Sequence, residues 1–261
     1  MTGPARAALR RGAGVARTLL HAADDRVAGR TRLHFLHIGK TGGTAIKAAF
    51  GRSDVVTATH RLVLHDHGFG LDDVPPGERA VFVLRDPVSR FVSAFNSRRR
   101  QGRPRYDAPW TPQEAAAFAA FPTADSLARA LDDPRRRGAA QDAMRSIRHV
   151  RDPLTSFLGP PDTLPLDRIA LVGSVVDLDA FARELTRLLG APPVTLPTDP
   201  VAAHRAPPDS DTALSDRGRE NVRRWYADDV AVIEALSPSG VSEPRTSDAG
   251  RGGRRRSRRR S

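Results

Sequence analysis

The chain contains no cysteine. Disulfide scaffolds, thiolate zinc sites, iron-sulfur clusters and thiol nucleophiles are therefore excluded together, and any catalysis must use other side chains. It also lacks a run of about 18 apolar residues, the length a helix needs to cross a bilayer. The apolar stretch over residues 15–23 is interrupted by Arg17, Thr18 and His21, too short for the core of a secretory signal, so we expect neither export nor a membrane anchor, and a cytoplasmic location. Lysine is scarce too. Of 42 basic residues only Lys40 and Lys47 are lysine, and both fall in one short segment.

The formal net charge is +12, which invites a nucleic-acid reading, but its location matters more than its size. Seven of the excess charges lie in residues 251–261 and four in residues 1–30, leaving +1 for residues 31–250. The excess therefore sits on the ends. An arginine-rich, acid-free tail attracts any polyanion without folding, either as a nonspecific solvated segment or as a nucleic-acid arm. With 261 residues and 39% hydrophobic content there is apolar material for one complete core. We expect a basic, poorly ordered segment over 1–30, one domain over 31–238 and a disordered arginine-rich tail over 239–261.

Three strand, loop and helix units are legible. Residues 33–38 alternate large apolar side chains with histidine, residues 39–44 form a glycine-rich break, and residues 45–50 are good helix formers. Residues 80–84 are a continuous apolar run of the kind buried on both faces of a parallel sheet, followed by Arg85, Asp86, Pro87 and an amphipathic stretch with Val88, Phe91, Val92 and Phe95. Residues 169–172 read as a third core strand, and Leu178, Phe181, Leu185, Leu188 and Leu189 form a helical stripe closed by Gly190. Alternating units of this kind predict an α/β fold with a central parallel sheet flanked by helices. Thr111 and Glu114 with Pro112 predict a capped helix ending near Pro122, a further helix is expected over 139–150, and a last one is marked by Val222, Trp225, Tyr226, Val230 and Ile233.

A glycine turn between a buried strand and a helix gathers backbone amides into one concavity, where the helix terminus adds partial positive charge. Phosphate or sulfate suits such a place, although a glycine pair before a helix is also often only a turn. Lys40 would add a point charge, Thr41 and Thr44 hydroxyls, and Gly42 and Gly43 close backbone approach. The nucleotide triphosphatase loop needs a glycine where His34 stands, and its glycines precede the lysine rather than follow it. Arg85, not aspartate, follows the second strand, with Asp86 keeping a weaker magnesium-binding reading open.

Residues 35–44, with Gly39, Lys40, Thr41, Gly42, Gly43 and Thr44, resemble the 5'-phosphosulfate loop of the sulfotransferases, and residues 83–93, from Arg85 to Ser93, resemble their 3'-phosphate-binding strand and helix. The similarity is closest to the carbohydrate branch that includes heparan sulfate 2-O-sulfotransferase and bacterial relatives. It implies the P-loop-like nucleotide-binding architecture of that family and 3'-phosphoadenosine 5'-phosphosulfate as donor, without a metal. Lys40 and its loop would then meet the phosphosulfate, and Arg85 and Ser93 the 3'-phosphate, Arg85 by a bidentate pair unless Asp86 neutralises it. Arg90 reads as structural support. The segment from His65 through Asp66 to His67 resembles the paired histidines of the branch, with His67 the expected base and His65 its companion; on a strand the two would share a side. A metal pair and a plain surface turn are the other readings of these histidines. His34 and His37, in the first strand, read as core or edge histidines. Gly39 departs from the proline many members carry. The implied acceptor is a hydroxyl compound, a saccharide in this branch. Arg98, Arg99, Arg100, Arg103 and Arg105 form a basic run that reads equally as a solvated face or a binding edge for an anionic saccharide. A nucleotide-dependent kinase using the same loop and a non-catalytic polyanion-binding protein are the competing functions.

Overall fold

In β1 (Thr31–Leu36), Leu33 and Phe35 point to one side and His34 and Leu36 to the other, and all are buried. β4 (Arg79–Leu84) repeats the pattern, with Val81 and Val83 opposite Ala80, Phe82 and Leu84. A strand covered on both faces needs apolar side chains at nearly every position, which is why β4 is a continuous apolar run, whereas β1 admits the buried His34 through its bonds to His65 and Glu78. The computed structural model describes residues 21–51, 53–104, 106–199 and 213–237. Around β1 and β4 it places β2 (Val55–Val56), β3 (His60–Leu64) and β5 (Ile169–Ser174) in the order β2-β3-β1-β4-β5, with only β2 antiparallel. The chain is thus α/β with a mostly parallel central sheet, as expected.

One face packs against α2 (Gly43–Ala49) and α8 (Leu178–Leu189) through Ile46, Phe181, Leu185 and Leu189. The other is covered by α7 (Thr155–Leu158), α10 (Ala227–Leu236) and the turn at Leu71–Asp73. A third cluster lies beside the sheet, where α3 (Pro87–Arg99) meets α4 (Pro112–Ala120), α5 (Ala124–Ala130), α6 (Arg137–Ser146) and α9 (Asp216–Trp225) around Phe91, Phe95, Phe121 and Leu127. The capping box of Thr111 and Glu114 opens α4, and Gly190, in the left-handed region at φ 62°, closes α8, both as expected.

Three expectations are corrected. The helix expected over 139–150 stops at Ser146, because Ile147 turns extended to bury its side chain. The last helix is two, broken at Tyr226, whose ring is buried and whose hydroxyl donates to the Val150 carbonyl. The folded domain does not begin at residue 31. α1 (Ala22–Val27) carries Asp25, 1% exposed, whose two carboxylate oxygens accept from Arg61 Nε at 2.8 and 2.7 Å. Residues 1–20 and the arginine-rich tail over 239–261 lie outside the described residues.

The connections after β1 and β4 set the site. The chain leaves β1 through α2 toward β3, and leaves β4 through α3 toward β5 on the opposite side. Adjacent strands whose exits diverge leave a crevice beyond their carboxyl ends, the usual place for a ligand in such a sheet.

Candidate functional site

The loop after β1 turns by using left-handed backbone at Lys40, φ 70°, and Gly42, φ 89°. A Cβ on Gly42 would be strained by that angle and would lie 2.9 Å from Leu178 Cδ1; one on Gly43 would lie 2.4 Å from His37 Cδ2. Gly42 is thus required by its backbone angle, while at Gly43 a side chain would have to displace the His37 ring. Thr41 is buried and its hydroxyl donates to the Ile38 carbonyl at 3.1 Å, so it locks the turn and does not reach the cleft. Lys40, Gly42, Gly43 and Thr44 do line a cleft of about 1210 Å³, into which α2 opens without a side-chain cap. Burial first, then the charges of Arg85 and Arg100, lower the Lys40 ammonium to a pKa of about 8.

The loop after β4 supplies the second wall. Arg85 lines the cleft, donates from Nε to Ser89 Oγ at 2.9 Å and reaches the Lys40 carbonyl at 3.4 Å, so it braces one loop against the other. Asp86 does not pair with it; its carboxylate caps α3 by accepting from the Ser89 amide at 2.8 Å. Ser89, Ser93, Asn96, Ser97 and Arg100 follow at helical spacing on the cleft face of α3. Arg90 is buried and ties the Gly39 carbonyl, the Asp152 carbonyl and Asp229 together, so it supports the loop after β1 from behind.

The paired histidines part company. β3 ends at Leu64, and the turn beyond it aims His67 into the cleft while His65 goes into the interior, 1% exposed. The His65 ring stacks on Phe69 at 3.5 Å, and its Nε2 lies 2.8 Å from His34 Nδ1, whose Nε2 in turn meets the Glu78 carboxylate. His67 Nδ1 lies 2.9 Å from the His37 carbonyl. A carbonyl only accepts, so Nδ1 carries the proton and Nε2 keeps its lone pair. Burial above all, with Arg148 and Lys47, lowers the His67 pKa to about 4 against the opposing pull of the His37 carbonyl and Asp66, leaving a neutral imidazole at pH 7. Lys47 fastens this turn, donating to the His65 carbonyl at 3.1 Å and to Asp66 at 2.7 Å.

Two further histidines belong to the cleft. His37, read from sequence as a core or edge residue, lines it with its ring 4.0 Å from that of His67. His149, which no motif marked, lines it beside Arg148. The basic run divides: Arg98 is buried in a bidentate pair with Glu114 at 2.8 and 2.6 Å, Arg99 is exposed, Arg100 and Arg103 line the cleft, and Arg105 lies outside the described residues. Among the described residues no group of three histidine, aspartate or glutamate side chains is arranged to hold a metal ion, and no helix is long and apolar enough to cross a membrane.

Compared with protein-family models, with curated proteins and with solved structures, the chain has no match. Its chemistry must therefore be read from the cleft itself. Lys40 and Arg85 make no ion pair among the described residues, and they stand at the ends of neighbouring strands with hydroxyls and amides between them. That arrangement can hold a ligand with two separated anionic groups, beside one imidazole whose free nitrogen can take a proton.

Proposed function

We propose that the chain is a sulfotransferase that moves a sulfuryl group from 3'-phosphoadenosine 5'-phosphosulfate to a hydroxyl of a carbohydrate acceptor. The observation that carries this reading is the pair of cations without ion-pair partners among the described residues, Lys40 and Arg85, on either side of the crevice between β1 and β4, with His67 Nε2 open beside them. The donor carries anions at both ends, so it needs two positive cradles. Lys40, with Gly42, Gly43 and Thr44, fits the phosphosulfate, while Arg85 and Ser93 fit the 3'-phosphate.

In the proposed reaction His67 takes the acceptor hydroxyl's proton as its oxygen bonds to sulfur and the bond from sulfur to the bridging oxygen breaks. Lys40 offsets the charge left on the phosphate. His65 supports the turn that presents His67 and touches no reactant. The kinase reading is disfavoured because Asp86, the aspartate available for magnesium after β4, has its carboxylate engaged as the cap of α3. The reading is tested by incubating the chain with the donor and a panel of saccharides and following release of 3'-phosphoadenosine 5'-phosphate. Acceptor-dependent release that His67→Ala removes is expected. Release that needs no acceptor hydroxyl, or that survives the substitution, would refute the assignment.

A further inference from the structure

His149 has the marks of a residue held in place for a ligand. Its backbone is left-handed, φ 68°, a conformation uncommon outside glycine and costly unless its surroundings enforce it. Those surroundings are on hand. The His149 amide donates to the Asp152 carboxylate at 3.2 Å, the Val150 and Arg151 amides both donate to the Ile147 carbonyl, and buried Arg90 clamps the Asp152 carbonyl. The held side chain is only 8% exposed, yet it lines the cleft, and among the described residues its ring makes no hydrogen bond. Neither ring nitrogen is among the sealed side-chain atoms that lack a hydrogen-bond partner, so the ring reaches the cleft and can donate to a ligand there.

Its position says which part of a ligand it meets. The Nδ1 edge of the ring lies over Gly39, where a Cβ would come within 2.9 Å of that nitrogen, and Gly39 immediately precedes Lys40. The ring centroid lies 5.6 Å from that of His67. The imidazole therefore stands beside both the loop that carries Lys40 and the proposed base, while Arg85 and Ser93 belong to the wall formed by the loop after β4 and α3. It also explains why glycine stands at position 39, since the ring fills the space a side chain there would need.

We infer that His149 contacts the sulfuryl group, donating a ring N–H to one of its oxygens at the reacting end of the cleft; this rests on the sulfotransferase reading above. Burial, reinforced by the neighbouring positive charges of Arg148, Lys40 and Arg90, holds the ring neutral, and a neutral imidazole keeps one N–H to donate. The donor and its product differ by this one group, which makes the contact separable from ordinary nucleotide binding.

The test is His149→Gly, a substitution the backbone angle favours, measured for turnover and for the affinities of both the sulfated donor and 3'-phosphoadenosine 5'-phosphate. Turnover should fall on the order of 10²-fold, as for loss of one preorganised donor to a developing anion. Donor affinity should weaken, product affinity should stay within about twofold, and added imidazole should restore part of the turnover. Gly39→Ala, which pushes the ring aside, should show the same pattern, and the double substitution should add little to either. If His149→Gly does not fold, Gly39→Ala with unchanged thermal midpoint decides. Unchanged turnover in a variant that lacks or displaces the ring, or equal loss of donor and product affinity, overturns the inference while the donor reading stands. A native chain that binds neither nucleotide overturns both.

Discussion

The two ends of this sheet use the same residue types in opposite ways. At the amino ends of the strands, Arg32 and Arg61 are buried against Asp25, Arg61 also reaches Asp24, and Arg32 reaches Glu78 at 3.0 Å, so each guanidinium has its carboxylate. At the carboxyl ends, Lys40, Arg85 and Arg100 face one cleft; burial lowers all three, and neighbouring cations add to it, Arg85 and Arg100 at Lys40, Arg90 at Arg85 against the pull of Asp86, and Arg99 at Arg100. The histidines divide by depth instead: in the interior His34 is bonded to His65 and to Glu78, whereas at the cleft, among the described residues, the His149 ring has no such partner and His67 uses one nitrogen. One end is finished by folding. The other gathers positive charge along one cleft, where under the proposed function it would meet the anionic ends of the donor.

That contrast can be broken most severely at His67. His67→Ala should lower turnover by about 10² to 10⁴, the range for a lost general base, without changing affinity for 3'-phosphoadenosine 5'-phosphate; steady-state kinetics beside a binding titration would show it. Next in size is the paired end. Asp25→Asn removes the carboxylate shared by Arg32 and Arg61 and should cost about 3 to 5 kcal/mol, the range for breaking a buried pair, read from denaturant unfolding.

The same kind of change at the other end should have the opposite sign. Lys40→Met removes a charge that folding disfavours, and should stabilise the free protein by roughly 1 to 3 kcal/mol while abolishing nucleotide-induced stabilisation. The pH dependence follows. The folded pKa of Lys40, about 8, lies below its usual value of 10.5, so the unfolded chain binds more protons between them and this lysine's cost to stability is relieved as pH rises through that window. Nucleotide affinity should move the other way, falling as pH rises above about 8 and the ammonium loses its proton. A titration at pH 7 and pH 9.5, repeated on Lys40→Met to show the dependence vanish, checks this smallest effect.

These residues also mark what local sequence carries. β1, β4, β5, the α4 cap and the closure of α8 were legible because apolar runs and capping residues act on their near neighbours. β3 carries no such local signal because its first two residues are His60 and Arg61, and Arg61 is tolerated inside through Asp24 and Asp25, 37 and 36 positions away. The break at Tyr226 depends likewise on the Val150 carbonyl, 76 positions away. Within the site, Lys40, the glycines and Arg85 stand in two contiguous motifs and could be named in advance. His65 could not be separated from His67, since its fate is set by His34, and His149 has no motif, because its role comes from being folded back over Gly39.

The central claim is that the cleft between β1 and β4 is built for a nucleotide with two separated anionic ends. The most direct measurement compares the thermal midpoint of the native chain with 3'-phosphoadenosine 5'-phosphate and with ATP plus magnesium at matched concentrations. At about 100 times its dissociation constant the bisphosphate should add roughly 2.7 kcal/mol and raise the midpoint by about 5 °C or more, with a far smaller shift from ATP and magnesium. A larger shift from ATP and magnesium, with none from the bisphosphate, would contradict the account and put a kinase in its place.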